Sequence, residues 1–261
     1  MLKFAANLSM MFTEVSFLDR FAAARAAGFH AVEYLFPYDY PPGVVRDRLK
    51  ECQLENVLFN MPPGDWAAGE RGIASIPGRE AEFREGVQKA LDYAGVLGVR
   101  RLHAMAGIPP ASAASTACRA TLVENLKYAA ERLAERGVTL LLEAINTRDM
   151  PGFFISTQAE SFAICAAVGC SNLKMQLDCY HMQVMEGDLT TKLRKYLPHC
   201  GHIQIAGVPD RHEPDTGEVR YEYLFRELDE MGYDGWIGCE YRPAGKTVDG
   251  LNWLRALFAS A

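Results

Sequence analysis

The chain alternates from end to end between short apolar runs that resemble strands and amphipathic segments that resemble helices. Strands are predicted at residues 3–7, 31–36, 56–59, 101–105, 138–143, 173–178, 202–205 and 237–240. Helices are predicted at residues 15–27, 42–53, 79–97, 116–136, 157–168, 189–197, 221–231 and 248–258. Eight β/α units within 261 residues are what a parallel barrel requires. The pattern therefore predicts an α/β protein whose residues 1–261 form a single (β/α)8 TIM barrel.

The competing architecture is a doubly wound parallel sheet, which commonly has a glycine-rich turn after its first strand. The turn in this chain is NLSMMFT, residues 7–13, and contains no glycine. Two connections, at residues 60–78 and 207–219, are longer than the usual length of about 2–6 residues. Long loops at the carboxyl end of a barrel often cover an active site, so we expect functional residues beneath or within them.

Four successive predicted strands in the second half of the chain carry an oxygen-bearing side chain at or near their carboxyl ends. These are Glu143, Asp178, Gln204 and Glu240, separated by 35, 26 and 36 residues. Each gap holds about one helix and one strand, and every strand of a parallel barrel ends at the same rim. We therefore expect the four side chains to meet in space.

Three carboxylates in one place repel each other unless a cation lies between them. Ligands that are all oxygen favour a hard cation, Mg²⁺ or Mn²⁺, whereas zinc more often recruits His or Cys. The four residues thus predict a divalent metal site. Each one taken singly could instead be a helix cap or a surface residue.

Four other side chains are candidates for substrate binding. His181, three residues beyond Asp178, could orient or polarise a substrate oxygen, and His103 ends the fourth predicted strand. Asn7 ends the first strand and could bind a hydroxyl group, while Arg71 in a glycine-rich loop would suit bidentate capture of a carboxylate. A backbone-bonded histidine, a turn-capping amide and a solvated loop charge are the respective alternatives.

The amino-acid composition limits the kinds of partner that we expect the protein to bind. The net charge of −6 and the pI near 5.6 argue against a general nucleic-acid binder. The seven cysteines form no C-x-x-C pair, which is typical of free thiols in a reducing compartment. No signal peptide is recognisable, and no apolar stretch approaches the roughly 20 residues that span a bilayer. We expect a cytoplasmic protein without a membrane partner, and self-association into a homo-oligomer is left open.

With these residues laid out, the chain resembles the hydroxypyruvate isomerase family of xylose-isomerase-like TIM barrels over nearly its whole length. The resemblance rests on the strings FAANLSMMF (4–12), FPYD (36–39), DWAAGERGI (65–73), IPGRE (76–80), DCYHMQ (178–183), EPDTGE (213–218) and GCEY (238–241). It implies that Glu143 and Glu240 are the acid/base pair. It also implies divalent-metal ligands at Glu143, Asp178, Gln204 and Glu240. Many sugar epimerases of this fold look as if they have a histidine where Gln204 stands, and an amide oxygen makes the site more suited to Mg²⁺.

The resemblance implies an aldose–ketose-type isomerisation of a small 2-oxo-hydroxy acid, hydroxypyruvate to tartronate semialdehyde, in glyoxylate and carbohydrate acid metabolism. The cation would chelate the substrate's carbonyl and hydroxyl oxygens and stabilise an enediolate. The alternative is a 2-oxo-tetronate isomerase, which would interconvert 2-dehydro- and 3-dehydro-tetronate by the same mechanism. Residues 205–214 look somewhat like that relative, whereas residues 64–72 look more like the three-carbon enzymes.

Two rival functions belong to other classes. An abasic-site endonuclease of the same superfamily would need several metals, many histidine ligands and a basic DNA-binding face, and a chain with six histidines and an acidic pI does not supply them. A catalytically inactive protein that binds sugar acids is the second rival. The intact set of four oxygen ligands argues against it.

Overall fold

In a computed structural model of the chain, which describes residues 2–259, eight parallel strands close into a barrel. The strands are β1 (Lys3–Asn7), β2 (Ala31–Tyr34), β3 (Glu55–Asn60), β4 (Arg101–His103), β5 (Thr139–Glu143), β6 (Leu173–Asp178), β7 (Cys200–Ile205) and β8 (Trp236–Cys239). Each strand pairs with the next along the chain, and β8 pairs with β1 to complete the ring. The predicted TIM barrel is confirmed.

Helices surround the barrel. They are α1 (Phe17–Ala26), α2 (Pro42–Glu51), α3 (Glu80–Leu97), α4 (Ser115–Ala134), α5 (Gln158–Val168), α6 (Cys179–Met185), α7 (Leu189–Tyr196), α8 (Tyr221–Glu230) and α9 (Asn252–Ala259), with short 3₁₀ helices at Leu197–His199 and Thr247–Gly250. None of the helices within residues 2–259 has the length and apolarity needed to cross a membrane.

The structure differs from the predicted elements at two kinds of position. Helix α6 occupies a segment expected to be loop, because the Asp178 carboxylate accepts a 2.7 Å hydrogen bond from the Tyr180 backbone N–H and starts a helix directly at the strand end. Strand β2 ends two residues early, where the Leu35 N–H donates to the Ser9 hydroxyl instead of continuing the ladder. Strand β8 likewise stops one residue before Glu240.

The side chains that line the barrel interior change from apolar to polar toward the carboxyl ends of the strands. Small and apolar side chains, including Ala5, Ala31 and Leu141, form a separate buried cluster within the barrel. Because side chains alternate along a strand, the next inward position on β5 after Leu141 is Glu143. The same alternation puts polar residues above the apolar cluster on β6 and β7, so the carboxyl end of the barrel is lined by groups that can do chemistry.

The long connection between β3 and α3 is packed against the segment that follows β4. Ser75 N–H donates to Ala106 O at 2.8 Å, and the Asn125 side chain donates to Ala74 O at 2.9 Å. Gly72 and Gly107 bring the two backbones so close that a Cβ on Gly107 would lie 2.2 Å from Gly72 O. The two backbone segments can therefore pack this closely only because neither glycine has a side chain.

We predict that Gly107→Ala destabilises the protein much more than Gly69→Ala. Both glycines have positive φ, 99° and 96°, so both substitutions carry backbone strain of about 1–3 kcal/mol. Only Gly107 adds a backbone collision, since a Cβ on Gly69 would meet nothing within 4 Å. Overpacking of this kind costs a further 1–3 kcal/mol or so. Urea unfolding measures the difference, and equal losses in the two variants would contradict the packing described here.

Candidate active site

Three of the four predicted strand-end side chains meet with His181 at the carboxyl end of the barrel. Glu143 ends β5, Asp178 ends β6, and Glu240 follows β8; one ligand atom from each of them and from His181 lies within 4.8 Å of all the others. All four residues are buried, and Glu240 is the most exposed at 8%. Gln204 is next to them, since it pairs with Asp178 in the β6–β7 ladder.

Burial and the close approach of the three carboxyl groups raise their pKa values. Burial raises the pKa of Glu143 well above its usual range, and the charges of Glu240 and Asp178 raise it further. Burial also raises the pKa of Glu240 to about 8 and that of Asp178 to about 6, with the positive charge of Arg211 limiting both rises. The three carboxyl groups cannot all be ionised here unless positive charge compensates them.

These residues fit a hard divalent cation. The buried Glu143 Oε1 has no hydrogen-bond partner among the described residues, although it lies in the middle of the oxygen-rich group. An unpartnered buried carboxylate oxygen is costly, and a cation would satisfy it. The donor set of carboxylates is the kind that Mg²⁺ and Mn²⁺ prefer.

Arg211 is a site residue that the sequence did not predict. Its guanidinium lies 2.6 Å from Glu240 Oε2 and 3.5 Å from Asp178 Oδ2, and packs on the Tyr180 ring at 4.9 Å. The neighbouring carboxylates raise its pKa although burial opposes the charge, so it stays protonated. The residue belongs to the long loop after β7 and has a left-handed φ of 58°, and its backbone oxygen accepts a 2.8 Å hydrogen bond from the Arg242 N–H. No periodic pattern marks such a position.

His181 lies at the site as predicted, and Asn146 fixes its orientation. The Asn146 backbone N–H donates to His181 Nδ1 at 3.3 Å, and the Asn146 amide group is 2.6 Å from the same nitrogen. Burial lowers the pKa of His181 well below its usual value, so the ring is neutral and its one proton is on Nε2. That N–H faces Asp178 and Glu143, at 3.5 and 3.9 Å. The ring is thus presented as a hydrogen-bond donor.

The Gln204 amide is held at both ends. Its NH₂ group donates to Glu33 Oε1 at 2.7 Å, and its oxygen accepts from Gln176 Nε2 at 2.5 Å. Glu33 is on β2 and is fully buried, and it is a second residue that the sequence did not predict. The amide oxygen of Gln204 therefore faces away from Glu33 and toward the β6 side of the barrel.

Two more predicted residues also lie in this part of the barrel. Asn7 Nδ2 donates to Glu33 Oε1 at 3.0 Å and to Glu240 Oε1 at 3.2 Å. His103 Nδ1 is 3.8 Å from Glu143 Oε2. Burial lowers the pKa of His103 to about 3, with a smaller contribution from the nearby His202, so this ring is neutral.

Arg71 contacts its own loop. Its guanidinium stacks on the Trp66 ring at 4.0 Å and donates to the backbone oxygens of Glu70 and Trp66 at 2.8 and 3.2 Å. Trp66 in turn packs edge-on against Phe36, with ring centroids 5.0 Å apart. The contacts of Arg71 hold the loop between β3 and α3 together. Its role toward a substrate stays a prediction.

Comparison with known proteins gives a consistent result. Residues 21–257 match the family described as xylose isomerase-like TIM barrel. The chain is 59% identical to the 2-oxo-tetronate isomerase of Cupriavidus necator, over 97% of both chains, and 49% identical to the hydroxypyruvate isomerase of Escherichia coli, over 97% of this chain and 98% of that one. A crystal structure described as AP endonuclease, family 2, from Brucella melitensis is 54% identical and superposes with a TM-score of 0.96, covering 98% of this chain and 99% of that one.

We predict that Mn²⁺ raises the melting temperature more at pH 8 than at pH 5.5. In the metal-free protein the folded-state pKa of Glu240, about 8, exceeds the ordinary value of 4.5, so its contribution to stability is present below pH 4.5 and is lost as the pH rises toward 8. Over the same window the cation no longer has to displace protons and binds more tightly.

Thermal denaturation with and without Mn²⁺ at the two pH values measures this effect, with Mg²⁺ in parallel. A control variant, Asp19→Asn on the surface helix α1, should behave like the parent protein. A metal-induced shift that does not change with pH would contradict the prediction.

Proposed function

The chain belongs to the xylose isomerase-like TIM barrel family and is an isomerase, and we propose that it interconverts hydroxypyruvate and tartronate semialdehyde. The observation that carries the proposal is the pair of buried glutamates, Glu143 and Glu240, which face the same small, oxygen-rich space. The E. coli hydroxypyruvate isomerase, at 49% identity over nearly the full length, supports the choice of substrate.

Glu143, Asp178, Gln204 and Glu240 would hold a divalent cation, Mg²⁺ or Mn²⁺. When bound, it polarises the substrate's carbonyl and hydroxyl oxygens and so makes the hydrogen on the adjacent carbon more acidic. We prefer Gln204 to His181 as the fourth ligand because a ligating nitrogen must be unprotonated, and the hydrogen bonds from Asn146 leave the proton of His181 on Nε2.

Proton transfer between C3 and C2 falls to the two glutamates. One of Glu143 and Glu240 removes a proton from C3 to give the enediolate, and the same residue or its partner delivers a proton to C2. His181 Nε2–H, which lies 3.5 Å from Asp178 Oδ2, would donate to a substrate oxygen on which negative charge develops.

The substrate's carboxylate needs a cationic partner, and two guanidinium groups are candidates. Arg211 lies among the catalytic carboxylates. Its Nη2 contacts Glu240 and Asp178, its Nε donates to the Glu240 backbone oxygen, and its Nη1 is 4.0 Å from Asp149 Oδ2. Arg71 is the candidate that the sequence predicts, but its hydrogen bonds are to its own loop. We propose that Arg211 makes the closer contact and that Arg71 stabilises the loop near it.

A four-carbon substrate is the second candidate. The C. necator relative at 59% identity is a 2-oxo-tetronate isomerase, which favours the interconversion of 2-dehydro- and 3-dehydro-tetronate. The same acid/base pair would serve both acids, since the proton moves between the same two carbons. Chain length would then be decided by the space beside C3 and not by the catalytic groups.

Charge and cysteine chemistry support the remaining parts of the proposal. A net charge of −6 and a site rich in carboxylates would repel a phosphate backbone, so we do not expect the protein to cleave or bind nucleic acid. All seven cysteines are free, as suits an enzyme that works in a reducing cytoplasm.

A proton NMR time course in D₂O tests the proposal. With Mg²⁺ or Mn²⁺ present, the protein should convert hydroxypyruvate to tartronate semialdehyde and exchange carbon-bound hydrogen for deuterium. Faster conversion of 2-oxo-tetronates would favour the second candidate. Turnover of neither acid would contradict both, and cleavage of duplex DNA that contains an abasic site would favour the nuclease.

Glu143→Gln and Glu240→Gln should each lower turnover by about 10²–10⁴-fold while the barrel stays folded. Each change keeps the size of the side chain and removes the base. Circular dichroism checks the fold, and a turnover number like that of the parent protein would remove that glutamate from the mechanism.

We predict that Arg211→Met raises the KM for the 2-oxo acid far more than Arg71→Met does. A guanidinium contact to the carboxylate persists from ground state to transition state, so its loss appears mainly in KM. Arg211 also compensates the charge of Glu240, so some loss of kcat should accompany it. Steady-state kinetics decide between the two arginines, and a larger KM effect in Arg71→Met would assign the carboxylate to Arg71 instead.

A further inference from the structure

A buried carboxylate lies beneath the candidate active site and takes no part in the chemistry described above. Glu33 on β2 is fully buried and accepts hydrogen bonds from three side chains. Asn7 donates at 3.0 Å, His202 at 2.6 Å through Nε2, and Gln204 at 2.7 Å. Burying a carboxyl group in the barrel interior is costly unless it is hydrogen-bonded, and the three donors supply those bonds.

The barrel has a space made for this carboxylate. Gly238, on the neighbouring part of β8, has no side chain, and a Cβ there would lie 2.3 and 2.4 Å from the two Glu33 oxygens. Gly238 also pairs with Gln204 in the β7–β8 ladder. Because Gly238 has no side chain, the Glu33 carboxylate can reach Gln204, which lies beside Gly238 on β7.

Glu33 fixes the orientation of the Gln204 side-chain amide. Glu33 Oε1 accepts hydrogen bonds from the amides of Asn7 and Gln204, so the end of the Gln204 amide that faces it is the NH₂ group. The oxygen is then at the opposite end, where it accepts from Gln176 on β6. Without this constraint the two ends of a glutamine amide are nearly equal in size, and the NH₂ group could turn toward the carboxylates of the site.

We propose that Glu33 is a positioning residue that fixes the Gln204 amide with its oxygen available as a cation ligand. The inference rests on the proposed ligand set and goes beyond it. An amide oxygen is a usable ligand in this barrel only because a buried carboxylate on another strand holds the NH₂ group away. Residues that orient ligands in this way typically change metal affinity by about 10–100-fold when replaced.

The test is Mn²⁺ binding to the purified protein, followed by isothermal titration calorimetry and by the electron paramagnetic resonance signal of free Mn²⁺. Glu33→Gln should weaken binding about 10–100-fold, because its new NH₂ group invites the Gln204 oxygen to turn toward it. The matched control is His202→Asn, which removes another partner of the same carboxylate but leaves the bond from Glu33 to Gln204. It should keep Mn²⁺ affinity within about threefold of the parent even if it lowers stability.

An exchange variant separates orientation from structural damage. In Glu33→Gln with Gln204→Glu, the carboxylate moves to position 204, where its two oxygens are equivalent and no orientation can be lost. This double variant should bind Mn²⁺ within about tenfold of the parent protein, and it keeps the charge of the pair if Glu33→Gln alone does not fold.

Three results would overturn the proposal: parent-like affinity in a folded Glu33→Gln, equal losses in Glu33→Gln and His202→Asn, or failure of the exchange variant to bind. Absence of Mn²⁺ binding by the parent protein would overturn it as well. Failure of the proposed function looks different, because the parent protein would then bind Mn²⁺ and respond to these substitutions without converting either acid.

Discussion

The repulsion among three buried carboxylates is the constraint on which the rest of the candidate active site depends. Glu143 and Asp178 end β5 and β6 and Glu240 follows β8, yet the closure of the barrel brings their oxygens within 4.8 Å of one another. Their raised pKa values express the free energy that this crowding costs. Arg211 offsets part of that cost, and the unpartnered oxygen of Glu143 leaves room for a cation to offset more. The chemistry proposed for the protein follows from that arrangement, since it brings two glutamates that can transfer protons beside a candidate cation site.

The barrel interior supports the site through a second polar layer. Below the carboxylates, Glu33, His202 and Gln204 form a hydrogen-bonded set that rests on the apolar cluster around Leu141. A packed apolar interior of the same volume would be at least as stable, so such a layer is better understood as a means of specifying geometry. In this barrel it fixes an amide that would otherwise have two equivalent orientations.

The sequence predicted well whatever depends on regular alternation. The barrel, the ends of β1, β5, β6 and β7, and the meeting of Glu143, Asp178 and Glu240 follow from repeated strand and helix lengths. Residues whose position depends on distant contacts could not be predicted. Glu33 lies in an otherwise apolar strand, and its inward placement is possible only because Gly238 on another strand leaves space. Arg211 reaches the site through a loop whose left-handed backbone has no periodic signature. Conversely, Arg71 was predicted from its glycine-rich surroundings, and those surroundings hold its guanidinium within the loop.

We propose that oxygen atoms from all four predicted strand ends, and no histidine nitrogen, hold a divalent cation. Anomalous diffraction at the manganese edge, from crystals grown with Mn²⁺, tests it most directly. We expect one strong peak at about 2.0–2.3 Å from oxygens of Glu143, Asp178, Gln204 and Glu240, with His181 Nε2 beyond ligand distance. A peak ligated by His181 Nε2, with the Gln204 oxygen turned away, would contradict it.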